Sequence, residues 1–340
     1  MKRRRSGYLP VIAGVLLAGG CVAACIWFTD NRVANFERRA EIYVHPGEDI
    51  SSVKEDIFSL AGVKRKGSLE RMFRNYDAGH RMKVGHYTVE PGNTSAYVAR
   101  MLVKGWQTPV RMTLSGTIRR TSDIARKVSR QMLADSASVH EALKDSGLYI
   151  VPDTYEMYWT STADEIVSRL RREYDAFWTD GRRQKAGALN LTPAEVQILA
   201  SIVNGETNCV AEMPKVAGVY LNRLARGQKL EADPTVAYCY DYKVTRILNH
   251  MLKCDSPYNT YRHAGLPPGP ICVPSKAAVD AVLDPDFGNG AVKAGGKGCN
   301  IYFCADPSLN GTHRFTASYQ THLANAAAFR RAVAAARRNR

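Results

Sequence analysis

The chain has 340 residues, of which 45% are hydrophobic, and a formal net charge of +15. This length exceeds what one hydrophobic core usually supports, so two or more domains are expected. A positive charge of this size is typical of nucleic-acid-binding proteins, but here the charge is scattered and no recognised nucleic-acid-binding motif is present. We therefore predict no nucleic-acid partner.

The first thirty residues are predicted to form a membrane anchor. Residues 1–7 include a basic cluster, and residues 8–29 contain no charged side chain. As a helix this run is long enough to cross a hydrocarbon core about 30 Å thick. Positive charge before the span favours a cytoplasmic N-terminus and an exported remainder. A cleaved signal peptide and a lipoprotein cleavage site at Cys21 are the alternatives, and the mature N-terminus would distinguish them.

Residues 41–109 contain a repeated pattern of strand, Pro-Gly turn and helix. The strands at 42–45 and 85–90 are each followed by Pro-Gly and then by a helical pattern. Residues 110–189 continue with a strand at 110–114 and an amphipathic helix at 164–177. Both regions are therefore predicted to be α+β.

The clearest helix start in the chain is at Thr192. Pro193 occupies the first helical position, and Glu195 lies three residues after the cap. Apolar residues follow at helical spacing, and Glu206 continues their inward stripe. Burial raises the pKa of a carboxyl group, as a general acid near neutral pH requires. Glu195 is about 16 Å away along the helix, too far to act on the same bond.

Two segments downstream combine aromatic rings with polar side chains, as saccharide-binding sites do. The first contains Asp233, Thr235 and Tyr238, although stabilisation of a turn explains Asp233 equally well. The second lies between prolines and glycines that preclude regular structure, so it is expected to be a shaped loop. That loop presents Tyr258, Asn259 and Tyr261.

Six cysteines lie beyond the predicted anchor. They match no metal-ligand spacing, and no CxxC occurs, so neither a metal nor any other cofactor is predicted. In an oxidising compartment they allow up to three disulfides, and the sequence does not choose among the 15 possible pairings. The six are Cys209, Cys239, Cys254, Cys272, Cys299 and Cys304.

Three motifs occur in a single order: LASIVNGET at 199–207, EADPTVAY at 231–238, and PYNTY at 257–261 followed by GLPPGPI at 265–271. This set resembles the YceG-like (MltG) family of endolytic murein transglycosylases, which are inner-membrane peptidoglycan lyases. The resemblance implies a single catalytic acid at Glu206 that cleaves the bond between N-acetylmuramic acid and N-acetylglucosamine. The products would end in 1,6-anhydro-N-acetylmuramic acid, and the cleavage would terminate elongation of nascent glycan strands.

The resemblance also implies the partners and the substrate-binding residues. Glycan strands and the inner membrane are the expected partners, with peptidoglycan synthases as candidates and the catalytic part in the periplasm. Asn222 matches a family position, although bracing of the next loop is an equal alternative. Because Asn259 lies in a loop, its replacement by alanine is expected to weaken cleavage with little change in thermal stability. The predicted substrate-binding residues are Asn222, Asp233, Thr235, Tyr238, Tyr258, Asn259 and Tyr261.

The predicted organisation is a mixed α+β protein behind an N-terminal transmembrane helix. The anchor at 8–29 is followed by a LysM-like region at 41–109, an intermediate α+β region at 110–189, a catalytic core at 190–329 and a basic tail at 330–340. A small α+β spacer is the alternative for the LysM-like region.

One position departs from the family pattern. Many members have an acidic residue two positions before the catalytic glutamate, where this chain has Asn204, so an auxiliary acid role is lost there. Gly205 is expected to loosen the last turn of the helix. A non-catalytic, membrane-anchored peptidoglycan-binding scaffold is the alternative function, and the intact Glu206 argues against it.

Overall fold

The computed structural model describes residues 8–144 and 146–338. The predicted cytoplasmic segment at 1–7 and the last two residues of the basic tail lie outside the described residues. The chain forms two compact units. Unit 1 comprises the described residues up to Met112, together with Gln131–Ala134 and Tyr155–Ser161. Unit 2 comprises Thr113–Arg130, Asp135–Thr154 and the described residues from Thr162 onwards.

The N-terminal helix α1 spans Tyr8–Arg32. Its segment Val11–Arg32 is long and apolar enough to cross a membrane, with a mean hydropathy of 2.3 and apolar side chains that face outwards. The helix continues past the predicted limit at 29 because its polar last turn packs within unit 1. There the carboxylate of Asp30, only 1% exposed, accepts hydrogen bonds from Ser68 and from the guanidinium of Arg71 at 2.8 and 3.1 Å.

Unit 1 contains the predicted repetition of strand, turn and helix. Strand β1, Ala40–Val44, pairs antiparallel with β2, Gly85–Val89, with Ile42 opposite Tyr87. Alternate residues of β1 enter the core, as expected for a half-buried strand. The helices that cover this sheet are α2 (Ile50–Ile57), α3 (Lys66–Asn75), α4 (Ala78–Arg81) and α5 (Ser95–Lys104). That this region is LysM-like and binds glycan stays a prediction.

Two paired strands, β3 (Val110–Leu114) and β4 (Asp153–Met157), carry the chain between the units. Strand β3 confirms the strand predicted at 110–114. The next helices are α6 (Thr121–Ser129), α7 (Ser136–Lys144), α8 (Ala163–Phe177) and α9 (Asp180–Ala188). Helix α8 confirms the predicted amphipathic helix, and a capping box between Thr162 and Glu165 begins it.

Unit 2 is built around α10, Pro193–Glu206, which begins as predicted. Thr192 accepts a hydrogen bond from the backbone of Glu195, and the Glu195 carboxylate accepts one from the backbone of Thr192. The helix differs from an amphipathic one, because every residue from 196 to 203 is buried. It packs against α11 (Met213–Ala225), α12 (Asp233–Cys239) and α13 (Lys276–Leu283).

A hairpin and a long helix complete unit 2. Strands β5 (Tyr302–Ala305) and β6 (His313–Thr316) pair antiparallel, and α14 (Tyr319–Arg338) packs on them. Buried Glu212 holds β6, because its carboxylate accepts hydrogen bonds from the backbone N–H of His313 at 2.7 Å and from its Nδ1 at 3.1 Å. The core is therefore mixed α+β, dominated by helices.

Candidate active site

Glu206 is the last residue of α10 and lies against α11. The hydroxyl of Tyr220, a buried residue of α11, donates a 2.6 Å hydrogen bond to Oε1 of Glu206. Burial raises the pKa of Glu206 to about 7, although the Tyr220 hydrogen bond opposes this effect. The nearby charge of Asp233 raises the pKa further, and Arg223 lowers it. The side chain is only half-buried, so it can hold a proton at neutral pH and still reach a ligand.

Gly205 has a different role from the loosening expected of it. A Cβ at this position would lie 2.7 Å from Cβ of Pro234 and 3.7 Å from Ile271. The absence of a side chain therefore lets the start of α12 approach the end of α10. This close approach brings Asp233, which precedes Pro234, next to Glu206.

Asn204 braces the helix end. Its Oδ1 accepts a 3.1 Å hydrogen bond from the backbone of Ser275, and Ser275 caps α13 by accepting one from Ala278. Asn204 thus connects the last turn of α10 to the first turn of α13. In place of the auxiliary acid expected from the family resemblance, this chain has a side chain that stabilises a contact between helices.

Four of the predicted substrate-binding residues are accessible. Asp233 is exposed, and Tyr238, Tyr258 and Tyr261 are partly exposed. The hydroxyl of Tyr261 donates a 2.6 Å hydrogen bond to Asp233, and the rings of Tyr238 and Tyr258 pack with centroids 4.6 Å apart. These side chains offer flat apolar faces and a carboxylate to a ligand.

Asn222 and Thr235, by contrast, are buried, and their polar groups bind other parts of the protein. The Asn222 amide donates to the carbonyl oxygens of Phe287 at 3.1 Å and Asn300 at 2.8 Å. The Thr235 hydroxyl donates to the carbonyl of Ala232 at 2.7 Å. The structure therefore gives both residues a bracing role, in contrast to the predicted sugar contact.

Asn259 also lies in the interior rather than on the loop surface. The side chain is 0% exposed, and its Nδ2 donates to the carbonyl oxygens of Leu252 at 3.0 Å and Cys254 at 2.9 Å. Its Oδ1 accepts a 3.0 Å hydrogen bond from the backbone of Tyr261. The amide thus determines the shape of the loop that presents the two tyrosines. This arrangement reverses the expectation that Asn259 contributes little to stability.

We expect Asn259→Ala to lower both stability and activity. The change leaves backbone groups in this loop without their partners, which costs about 1–3 kcal/mol for each unsatisfied buried group. Thermal unfolding monitored by circular dichroism measures the effect. Tyr258→Ala, which removes a partly exposed ring, serves as the control and is expected to unfold closer to the wild type. An unchanged midpoint for Asn259→Ala would contradict the bracing role.

The sequence analysis did not identify two residues, Tyr220 and Arg223, that lie beside Glu206. The Arg223 guanidinium donates to the carbonyl oxygens of Ile301 at 2.9 Å and Leu230 at 2.6 Å, near enough for its charge to act on Glu206. The available signal was their spacing of three residues, which places both on one face of α11.

Two cysteines of this region lie in contact, although all eight are free thiols. The thiols of Cys254 and Cys239 lie close enough to interact. Cys239 also donates to the carbonyl of Thr235 at 3.2 Å, and Asn259 donates to the sulfur of Cys254 at 3.3 Å. The structure therefore favours one of the possible pairings.

We expect Cys239 and Cys254 to form a disulfide when the folded protein is treated with oxidised glutathione. Both thiols lose their hydrogens, and the glutathione disulfide is reduced to two thiols. Alkylation followed by peptide mass spectrometry should detect a crosslinked peptide that is two hydrogens lighter than the two thiol peptides. Cys304, elsewhere in unit 2, serves as a control and should remain open to alkylation. Full alkylation of Cys239 and Cys254 after oxidation would contradict the pairing.

Among the described residues, no group of three or more His, Cys, Asp or Glu side chains is placed to hold a metal ion. The arrangement of Glu206, Tyr220 and Asp233 instead suits acid–base chemistry. A protonated carboxyl group can donate its proton and then accept another one. The aromatic side chains nearby suit a ligand with flat, partly apolar faces, such as a sugar.

The chain is similar to known proteins along most of its length. The YceG-like family matches residues 42–328. The endolytic murein transglycosylase of Bacillus subtilis (strain 168) is 29% identical over 174 residues, which cover 51% of this chain and 45% of that protein. That of Streptococcus pneumoniae (strain R6, ATCC BAA-255) is 23% identical over 320 residues, covering 80% of this chain and 55% of that protein. The chain thus spans about half the length of the curated relatives it matches.

A solved structure has a similar fold. The crystal structure of a yceG-like protein from Listeria monocytogenes superposes with a TM-score of 0.51 at 20% sequence identity. The match covers 84% of this chain and 99% of that chain.

Proposed function

Because the chain belongs to the YceG-like family, we propose that it is a membrane-anchored endolytic peptidoglycan lytic transglycosylase. It cleaves the bond between N-acetylmuramic acid and N-acetylglucosamine in nascent strands, leaves 1,6-anhydro-N-acetylmuramic acid ends, and so terminates elongation. The observation that carries this proposal is a half-buried Glu206 whose pKa is raised to about 7 beside accessible tyrosines. Such a group acts first as an acid and then as a base.

The proposed reaction needs one carboxyl group. Oε1 of Glu206 accepts the Tyr220 hydrogen bond, so the proton for transfer resides on Oε2. That proton passes to the glycosidic oxygen as its bond to C1 of muramic acid breaks. The resulting carboxylate removes the proton of the C6 hydroxyl, whose oxygen bonds to C1. Glu206 is protonated again at the end, and no water is consumed.

The neighbours of Glu206 support both steps. Asp233 places a negative charge near the positive charge that develops at C1, and the same charge favours the protonated form of Glu206. Tyr220 fixes the orientation of the carboxyl group. Tyr238 and Tyr258 present ring faces on which sugar rings pack.

The proposed location is the inner membrane, with a cytoplasmic N-terminus and the two units in the periplasm. Helix α1 supplies a span of sufficient length, and the Asp30–Arg71 ion pair fixes its end to unit 1. Nascent strands emerge at the membrane surface, so an enzyme anchored there meets them before they are incorporated. Peptidoglycan synthases are therefore proposed as partners.

Analysis of the reaction products tests the proposal. The full chain in detergent is incubated with uncrosslinked glycan strands, and the new ends are identified by mass spectrometry. We expect 1,6-anhydro ends. Reducing ends would show that water is the nucleophile, and Asp233 would then be the candidate second carboxylate. Binding without any cleavage would favour the non-catalytic scaffold.

The rate of cleavage is expected to fall as pH rises through about 7. The pKa of Glu206 is raised from 4.5 to about 7, so the proton needed for the first step is retained below this pH and lost above it. The measurement is the initial rate of strand cleavage between pH 5 and 9. A rate that stays constant across this range would contradict the assignment of Glu206 as the acid.

Two variants should move this decline in opposite directions. Tyr220→Phe removes a hydrogen bond that lowers the pKa of Glu206, so the decline shifts to higher pH. Asp233→Asn removes a charge that raises the pKa, so the decline shifts to lower pH. Shifts in the same direction would show that another group controls the profile.

A further inference from the structure

A cavity of about 680 Å³ lies in unit 2, separate from the immediate surroundings of Glu206. The start of α6, the end of α7, the first turns of α10 and the loop after residue 269 form its walls. Its lining combines cations, aromatic rings and amide groups. The side chains relevant to binding are Arg119, Arg120, His140, Gln197, Tyr238 and Tyr258.

The cavity is adjacent to the proposed active site. Gln197 precedes Glu206 by nine residues in α10, so the two lie about 13 Å apart along the helix axis and on opposite sides of the helix. Tyr238 and Tyr258 line the cavity and are also among the accessible residues proposed to contact sugar. An extended ligand that occupies both places therefore passes over these two tyrosines.

Two buried polar atoms in the cavity have no partner among the described residues. Gln197 is 1% exposed, yet its Oε1 accepts no hydrogen bond, and Nδ1 of His140 is also unpaired. An unsatisfied buried acceptor costs about 1–3 kcal/mol, so native proteins usually pair such groups. Ser201, one turn further along α10, follows this rule, because its hydroxyl bonds to Ile198 and Ile271. The cavity thus offers an acceptor to a ligand that carries N–H groups.

The cationic side chains that line the cavity differ in whether a carboxylate neutralises their charge. Arg120 pairs with Asp241, and Lys144 lies 3.6 Å from Glu141. The Arg119 guanidinium stacks on the Tyr242 ring at 3.9 Å from its centroid, and among the described residues it forms no ion pair. A guanidinium held flat on a ring is well placed to bind a carboxylate. The cavity therefore combines a cation for a carboxylate with an acceptor for an N–H group.

We propose that this cavity binds the stem peptide of peptidoglycan, with Arg119 on a peptide carboxylate and Gln197 Oε1 on a peptide N–H or ammonium group. This inference rests on the proposed function, because the peptide is attached to the muramic acid next to the cleaved bond. In an intact strand the lactyl carboxyl group of muramic acid forms the amide bond to the peptide, so the free carboxylates available to Arg119 are those of the peptide.

The test compares two forms of one substrate. Glycan strands are prepared with their stem peptides, and half of them are treated with an amidase that removes the peptides. For the full chain we expect kcat/KM to be about tenfold higher on the peptide-bearing strands, the gain of one charge-assisted contact. Arg119→Ala should abolish this preference and leave the rate on peptide-free strands unchanged.

Arg126→Ala is the matched control. Arg126 lies on α6, is exposed and does not line the cavity, so its removal changes the net charge equally and should retain the preference. Equal cleavage of both substrates by the wild type, or loss of the preference in Arg126→Ala as well, would overturn the proposal for the cavity. Neither result would affect the proposed lytic activity.

Failure of the proposed function gives a different result, since neither substrate would be cleaved. Calorimetric titration of the full chain with the isolated stem peptide then tests the cavity directly. Binding by the wild type that is lost in Arg119→Ala, while Arg119→Ala unfolds at the wild-type temperature, supports the cavity. Absence of binding by the wild type overturns it.

Discussion

Glu206→Gln is expected to reduce strand cleavage by at least about 100-fold, the contribution typical of a general acid. Glutamine keeps the size of the side chain and can still accept the hydrogen bond of Tyr220, but it has no proton of suitable acidity to transfer. Both the protonation of the glycosidic oxygen and the deprotonation of the C6 hydroxyl therefore fail. The measurement is the rate at which 1,6-anhydro ends appear.

The stability of this variant provides the control. Folding raises the pKa of Glu206 from 4.5 to about 7. The contribution of this residue to the free energy of unfolding is therefore complete only below about pH 4.5, and it is lost as the pH rises through 7. Glutamine does not titrate, so the variant should unfold at the wild-type temperature or higher at pH 8. Glycan binding should also be retained. Near-normal cleavage by Glu206→Gln would mean that another residue is the acid.

Gly218→Ala is expected to destabilise unit 2 by about 3 kcal/mol or more, at the upper end of overpacking effects. A Cβ on Gly218 would lie 1.9 Å from the carbonyl oxygen of Asp286. This contact involves backbone, which rotation of a side chain cannot relieve. The same loop is held by the Asp286 N–H, which donates to Pro214 at 2.9 Å, and by Asn222, which donates to Phe287. Calorimetry should show a lower midpoint.

Gly187→Ala is the matched control for this substitution. Gly187 lies in helix α9, and a Cβ there would meet no atom within 4 Å. Alanine favours the helix by about 1 kcal/mol over glycine, so this variant should be neutral or slightly more stable. A midpoint for Gly218→Ala equal to that of Gly187→Ala would show that α11 and the Asp286 loop are not closely packed.

Local sequence signals predicted the elements that depend on neighbouring residues. The helix start at Thr192 followed from a cap, a proline and a glutamate within four positions. The strand–turn–helix order of unit 1 followed from Pro-Gly turns after alternating strands. Glu206 was singled out at the end of a predicted apolar stripe, although every residue of α10 from 196 to 203 is buried. Each signal depends on residues within a few positions of one another in the sequence. The structure has the predicted element at each of these places.

The orientation of individual polar side chains was beyond these signals. Asn222, Thr235 and Asn259 were predicted to bind substrate, with bracing as an equal alternative for Asn222, but all three are buried. An amide or hydroxyl can bind a ligand or satisfy backbone carbonyl groups. Which of the two occurs depends on whether the nearby carbonyl groups already have other hydrogen-bond donors. The amino-acid composition does not show this.

The sequence by itself determined the family resemblance, an N-terminal helix long and apolar enough to cross a membrane, and the helix that carries Glu206, and it singled out Glu206 as the candidate acid. Only the tertiary structure decided that Tyr220 bonds to Glu206 and that Cys239 lies beside Cys254. It also decided that Asp233 lies beside Glu206, because Gly205 has no side chain to keep α12 away from α10. The physical reason is the range of the interactions. Capping and periodicity act within one element, whereas these contacts join residues from 14 to 27 positions apart and exist only once the helices pack.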